Sequence, residues 1–410
     1  MDKICFVVGL YGDEVNGGAE KHCKMLAEKA ASRYQVEVLT STTDNYTSFN
    51  PFYAEGSTVI DNVTVRRFKT QDFNPAAFDE AYKKSRWGRK IRRFLYKAGI
   101  LKHLANIFPR FTFALKDELK VLKSHGLFSK ELIKFAIENE HHYKAFFLLS
   151  YPNPNFFFIN AAIAQKCVLI PTAHNEGDFF RSYLTHIFTT INHIAFNTEA
   201  ERQLCRDIFG KKMVNNSILA VGTDLIPPVT YETISQKFKL PERYILYFGR
   251  IAKEKIGNLL QWFLNFKRIS ADPVKLVLTG GLFMDKVDHP DIIYTGFVTE
   301  SEKTALIQHS QLVVNPSDRE SLSLLLLETM QLGKPSLVNG KSEVLKQHCI
   351  NSGFASAYYT SEKDFTQKLD RLLKLTHEQK KELGARCVDY IVQNYNWSLI
   401  LSRLENIVEE

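Results

Sequence analysis

Two stretches of this chain repeat one pattern, and that pattern restricts the fold more than any other feature. Each opens with an apolar run of strand length, passes through a loop of turn-forming residues, and continues into a helical period and a second apolar run. In the first, Ile4 to Leu10 reads as a strand buried on both faces. Tyr11 to Gly18 is rich in turn formers. Cys23, Leu26, Ala27 and Ala30 then recur on one face of a helix, and Val36 to Leu39 is the next strand. In the second, Tyr244 to Phe248 is a strand, followed by Gly249-Arg250 and a basic loop to Gly257. Leu259, Leu260, Phe263 and Phe266 mark a helix, and Val274 to Leu278 a strand that ends in Thr279-Gly280-Gly281. Thr299 with Glu302 three residues on predicts a capping box at a helix start. Leu312 to Asn315 reads as a strand, Pro316 to Glu320 as a loop, Ser321 to Leu332 as a helix stopped by Gly333, and Pro335 to Val338 as a strand.

Such alternation predicts an α/β chain with parallel sheets covered by helices. A length of 410 residues leaves room for at least two such domains. The expected division is 1–225 and 226–390, with 391–410 a C-terminal helix crossing back to the first domain. Val221 to Pro241, with Pro227, Pro228 and Pro241, is the expected hinge. Ligands in doubly wound folds sit at the carboxyl ends of the strands, so two facing domains would bind theirs in the cleft between them.

Other classes fall away on composition. No apolar run reaches the 18 or so residues a membrane span needs. The first residues lack a small-residue cleavage site and read as a buried strand rather than a signal peptide. The six cysteines are scattered without a Cys-x-x-Cys pair, which predicts neither a zinc site nor a disulfide framework and points to a reduced, cytoplasmic chain.

Four groups of residues carry candidate chemistry. Glu320 precedes a helix start, whose free N–H groups and dipole favour anions, and Glu328 follows four consecutive leucines. This element would suit a ligand with hydroxyls at both ends and phosphates between. The plainer reading is that Glu328 pairs with a core arginine and Glu320 is solvated. Arg250 and Lys255, leaving a strand, suit a diphosphate; otherwise they belong to a solvated charge run. Gly17-Gly18 would let backbone approach phosphates closely, or is a plain turn. It is not Gly-x-Gly-x-x-Gly, so a dinucleotide fold is unsupported. His174 follows the strand-like Val168 to Ala173 in a polar cluster, as a cleft residue or a structural one.

In order, these pieces resemble glycosyltransferase family 4, retaining enzymes of the GT-B fold that use nucleotide sugars. The resemblance runs the length of the chain: Gly17-Gly18-Ala19-Glu20, His174, Val221-Gly222-Thr223-Asp224, Gly249-Arg250 with Lys255, Thr279-Gly280-Gly281, Gly296-Phe297-Val298, and Asn315-Pro316-Ser317 leading into Glu-x7-Glu. It implies two Rossmann-like domains facing each other across a cleft, the first binding acceptor and the second a UDP- or GDP-sugar. It implies that Arg250 and Lys255 hold the diphosphate and stabilise the leaving group. Glu320 would bond donor-sugar hydroxyls, and the N–H groups of Ser321, Leu322, Ser323 and Leu324 the sugar and distal phosphate. Glu328 would bind the ribose, Gly17 and Gly18 would admit the phosphates, and His174 would orient the donor sugar. Gly280, Phe297 and Val298 would border the donor, with Phe297 and Val298 near the base. The resemblance also implies front-face attack by an acceptor hydroxyl, the leaving phosphate taking the proton, with no metal and no cofactor. Stretches such as Pro171 to Glu176 look like a bacterial subgroup of surface-polysaccharide clusters, with glycan or polyprenyl-diphosphate-linked acceptors. The chain departs from the family at Glu320-Ser321-Leu322-Ser323, where Glu-Gly-Phe-Gly is common, and at Ile256, which separates Lys255 from Gly257. The rival readings are a phosphorylase-like enzyme using sugar phosphates and a lipid- or nucleic-acid-binding module with a vestigial cleft.

One segment stands apart from these motifs. Lys+Arg exceeds Asp+Glu by 53 to 45, yet residues 83–110 hold ten cations and no acid, which leaves 43 against 45 elsewhere. Trp87, Ile91, Phe94, Leu95, Ile100, Leu101 and Leu104 are interleaved at near-helical spacing. A basic amphipathic stretch with aromatics predicts contact with an anionic membrane, with Arg89, Lys90, Arg92 and Arg93 at its centre. The alternative is a solvated helix packed on its own domain. Nucleic acid is not the expected partner.

Overall fold

A computed structural model describes residues 1–15, 17–224 and 226–409. Asn16, in the first turn-rich loop, and Leu225, the expected domain boundary, lie outside the described residues. The chain divides into two units. One comprises Met1–Gly222 with the C-terminal segment from Trp397, and the other Thr223–Asn396.

The first unit is built on β1 (Lys3–Val7), β2 (Gln35–Ser41), β3 (Gly56–Ile60), β4 (Val63–Phe68), β5 (Phe146–Leu149), β6 (Cys167–Ile170), β7 (His193–Phe196) and β8 (Asn216–Ile218). Their order is β3-β4-β2-β1-β5-β6-β7-β8, and every pairing is parallel except β3 with β4. The apolar runs are central here: Ile4 to Val7 and Phe146 to Leu149 are fully buried, and Phe6 stacks on Phe147 at 5.0 Å. The β3–β4 hairpin has no such run. It is made by Asp61 and Asn62, both at positive φ (48° and 64°), the conformation of a two-residue turn whose twist matches the strands.

The second unit contains β9 (Tyr244–Phe248), β10 (Lys275–Thr279), β11 (Ile292–Gly296), β12 (Leu312–Asn315), β13 (Ser336–Asn339) and β14 (Ala357–Tyr359), in the all-parallel order β11-β10-β9-β12-β13-β14. In both sheets the chain begins in the middle and winds outward in both directions. Each sheet therefore has a switch point, beside β1 and β5 in the first and beside β9 and β12 in the second, where loops diverge and leave a crevice.

Three expectations need correction. Val221 to Pro241 is not irregular throughout, because Tyr231–Phe238 is a helix capped by Thr230. A boundary at 390 would fall inside the helix His377–Asn394. The chain leaves the second unit at Asn396, and the helix Trp397–Glu409 packs on the first, where Arg33 pairs with Glu405 at 2.5 Å and the Lys29 ammonium lies 5.4 Å from the Trp397 ring centroid. Gly222 admits that indole, since a Cβ there would lie 2.6 Å from it. Lastly, the helix expected from Ser321 starts at Leu324. Ser323, at φ 78°, cannot continue a helix, and its hydroxyl instead accepts the Leu326 N–H as the N-cap.

Candidate functional site

The switch point of the second sheet gathers most of the singled-out residues. Gly249 ends β9 at φ 133°, and its N–H donates to the Thr279 carbonyl at 2.9 Å. Gly280 follows β10 at φ 124°, and a Cβ on it would lie 2.2 Å from the Gly249 carbonyl oxygen. The Ile251 N–H then reaches Gly281 at 2.9 Å, and the Tyr247 hydroxyl donates to the Arg250 carbonyl at 2.9 Å. These bonds fix the direction in which Arg250 and Lys255 leave the sheet. Gly280 is thus required by loop-on-loop packing, a reason that stands without any ligand.

Lys255 Nζ lies 3.1 Å from Glu320 Oε1. Lys255 sits in a one-turn helix, Lys253–Ile256, where a basic loop was expected. A cation from the segment after β9 thereby meets a carboxylate from the loop after β12, the neighbouring strand across the switch point. Arg250 is exposed, pairs with Glu254 at 3.2 Å, and lies 4.9 Å above the Phe283 ring. Phe283 and Phe297 are 60% and 66% exposed. Both rings press on Gly281, where a Cβ would lie 2.7 and 2.8 Å from them. Exposed rings beside a cation form a stacking surface for a planar group. Val298 is half-buried against the apolar cluster around Val277 and Val313.

The segment Ser321 to Leu324 is held from below. Asn315 Nδ2 donates to Ser323 Oγ at 2.9 Å, and Asn315 Oδ1 accepts the Ser317 N–H at 3.1 Å. The buried His348 bonds the Leu322 carbonyl through Nε2 at 2.8 Å and the Tyr390 hydroxyl through Nδ1 at 2.9 Å. A carbonyl only accepts, so Nε2 carries the proton and the tyrosine donates to Nδ1. Burial pulls this imidazole down to about 4, against the opposing influence of Leu322 and Glu320. Glu328 pairs with Lys303 at 2.7 Å, and both side chains are largely buried. Lys303 also reaches Glu300 at 2.6 Å and lies 5.6 Å from the Phe248 ring centroid. The cation that meets Glu328 is therefore a lysine, and not the core arginine of the plainer reading.

Gly17, Gly18 and His174 lie in the first unit. Gly17 is the N-cap of the helix Gly18–Ala30, which starts after β1. A Cβ on Gly17 would lie 1.9 Å from Glu20 Oε2, whereas one on Gly18 would meet nothing within 4 Å among the described residues. Glu20 is buried, its carboxyl is pushed up by that burial, and it accepts the Tyr46 hydroxyl. His174 follows β6, with Nε2 3.2 Å from Glu176, which in turn accepts the Tyr151 hydroxyl. The loop is anchored one residue earlier: the Ala173 N–H donates to the buried Glu201 at 2.5 Å, and the Asn197 N–H to the same carboxyl at 2.6 Å. Burial raises Glu201 to about 8 in spite of those donors.

Of the four expected membrane cations, two turn inward. Arg92 is fully buried between Phe111 and Phe209, at 5.0 and 6.0 Å from their ring centroids. Arg89 pairs with Asp178 and lies 4.2 Å from the Tyr82 ring centroid. Lys90 and Arg93 are exposed. Helical spacing leaves cations on both faces, and only packing decides which face is covered. Phe283, Lys303 and His348 were not among the sequence-derived candidates. Phe283 had a usable signal, two residues after Gly280-Gly281; the other two act through partners 25 and 26 positions away.

Residues 242–375 match the family model for glycosyl transferases group 1. No curated protein matches the chain. Among solved structures, a sucrose-phosphate synthase from Thermosynechococcus elongatus is similar over 100% of this chain and 98% of its own, with TM-score 0.70 and 14% identity. Anabaena HepE in complex with UDP and glucose is similar over 100% of both chains, with TM-score 0.68 and 13% identity. A trehalose-6-phosphate structure from E. coli bound with UDP-2-fluoro glucose covers 100% of this chain and 99% of its own, with TM-score 0.66 and 11% identity. These likenesses establish the fold as GT-B, with two parallel-sheet, Rossmann-like units.

Proposed function

We propose that the protein is a retaining glycosyltransferase that moves a hexose from a UDP- or GDP-sugar to a glycan or polyprenyl-diphosphate-linked acceptor in cell-surface polysaccharide assembly. The observation that carries this reading is the Lys255–Glu320 pair at the β9/β12 switch point, inside the segment that matches the family model. In this reading Arg250 and Lys255 take the diphosphate and the charge that develops as it leaves. Glu320 accepts hydroxyls of the sugar, and N–H groups of the Ser321–Leu324 segment take the sugar and distal phosphate. Glu328, oriented by Lys303, accepts the ribose hydroxyls, and Phe283 joins Phe297 and Val298 at the base. By the sequence resemblance, Gly17 and Gly18 would admit donor phosphates and His174 would orient a donor sugar. The acceptor oxygen bonds to the anomeric carbon as the bond to phosphate breaks, and the departing phosphate takes the acceptor proton. Side-chain cations do the charge-neutralising work, so the reaction is proposed to need no metal.

The polysaccharide acceptor rests on the sequence resemblance. A phosphorylated sugar acceptor is the second reading, favoured by the sucrose-phosphate synthase and trehalose-6-phosphate synthase among the similar structures. Thermal shift with UDP, GDP, ADP and dTDP tests the donor. A nucleotide present at a hundred times its Kd stabilises the fold by about 2.7 kcal/mol. Glu328→Ala is expected to lose most of that shift. No shift with any nucleotide at millimolar concentration overturns the reading.

A further inference from the structure

The glycosyltransferase reading does not use the basic segment, and the structure orders that segment into a surface. The helix Pro75–Lys97 runs into a second helix, Leu101–Ile107, through Gly99 at φ 72°. Its inner face is Ala81, Ser85, Gly88 and Arg92, all buried. Gly88 fixes that face, since a Cβ there would lie 2.8 Å from the Phe113 carbonyl oxygen. The opposite face carries two adjacent stripes. One is apolar, Trp87, Ile91 and Phe94, all exposed, with Phe94 68% exposed. The other is Arg86, Lys90, Arg93 and Lys97, also exposed. The second helix and the turn after it add Ile107 and Phe108, both exposed. Just beyond, Ile107, Phe108, Arg110, Phe111, Thr189 and Lys212 line an open recess of about 670 Å³ that pairs apolar walls with two cations.

We propose that the first unit seats on anionic phospholipid bilayers through this outer face. The charge argues for that occupant. Once residues 83–110 are set aside the chain is close to neutral, 43 cations against 45 acids, so the excess charge is confined to this segment. Aromatic side chains crest the face with long cationic ones beside them. That is the arrangement of a helix lying in an interface, rings at the headgroup boundary and ammonium groups on lipid phosphate. Among the described residues no helix is long and apolar enough to cross a membrane, which fits contact at the surface. Arg110 and Lys212 line the recess beside the exposed Phe108 and add two cations to the face.

Sedimentation of the full chain with vesicles of phosphatidylcholine plus 30% phosphatidylglycerol, against phosphatidylcholine alone, tests this. Binding is expected only to the anionic vesicles and is expected to fall steeply toward 1 M salt. Each surface cation contributes roughly fivefold to partitioning, so Lys90→Gln with Arg93→Gln should weaken it ~30-fold. Arg92→Met, on the buried side, should leave it unchanged. Trp87 supplies a second readout: its emission should shift to the blue on vesicle addition, and Trp87→Phe should abolish the shift while sedimentation persists. Equal sedimentation with both vesicles, or an unaffected Lys90/Arg93 variant, overturns the proposal. So does retention of single-stranded RNA by a protein that stays in the supernatant when the vesicles sediment.

Discussion

His348 should make the second unit acid-sensitive, and the size of the effect follows from its surroundings. The imidazole is fully desolvated and spends both nitrogens, one on the Leu322 carbonyl and one on Tyr390. An unfolded histidine titrates near 6.5 and this one near 4. Between those values the unfolded chain binds a proton that the folded chain excludes, so stability rises with pH. The contribution is fully present above pH 6.5 and is lost as pH falls toward 4, where it levels off. A difference of ~2.5 units at ~1.4 kcal/mol each makes the loss about 3 kcal/mol. His22 and His125 in the first unit are also held near 4 by burial, so wild type alone cannot isolate the term. His348→Gln can: its amide can donate to Leu322 and accept from Tyr390 without titrating. Urea unfolding read by Trp262, which packs against Tyr359 and Phe365 in the second unit, gives the stability of that unit in a Trp87→Phe/Trp397→Phe background. At pH 7.5 the variant should be less stable by about 1 kcal/mol, the net worth of an imperfectly replaced hydrogen bond. At pH 4 it should be the more stable protein by ~2 kcal/mol. A stability difference that does not change with pH would refute the account of a buried neutral imidazole.

Three further perturbations test the packing. Gly280→Ala should destabilise the second unit by about 3 kcal/mol in urea, because φ 124° and the Gly249 carbonyl at 2.2 Å both oppose a Cβ. Gly18→Ala meets nothing among the described residues and should leave stability within about 1 kcal/mol, so any loss of nucleotide-induced thermal shift in that variant reports the phosphate role directly. Arg92→Met should be neutral or stabilising by up to about 3 kcal/mol in thermal unfolding, since among the described residues none is a hydrogen-bond partner of the buried guanidinium's Nε, Nη1 or Nη2. A large loss of stability would mean that its contacts with Phe111 and Phe209, and the charge of Glu118, outweigh desolvation.

Legibility followed the range of the interaction. The Thr299–Glu302 capping box forms as read, because both partners lie within one helical turn. Strands β9 and β12 fall on the residues expected, because apolar runs of that length have few other uses between turn signals. Ser323 was misread as helical because nothing in Ser-Leu-Ser announces a left-handed backbone. That conformation is stabilised by Asn315, eight residues earlier. Glu320 was legible as a candidate, but its meeting with Lys255 needed the strand order that makes β12 the neighbour of β9.

The basic segment divides the two sources of information most sharply. Local sequence determined that residues 83–110 form basic amphipathic helix and that the alternating runs form parallel sheets, since hydrophobic period and turn chemistry act over a few residues. Which cations face out was decided by tertiary packing. Arg92 and Lys90 are two positions apart and alike in charge, yet Phe111, Phe209 and the close approach at Gly88 enclose one and leave the other in solvent. Enclosure is a property of surfaces brought together from distant parts of the chain. For the same reason the partners of Glu320, Glu328 and Leu322 could be named only once the sheet was assembled.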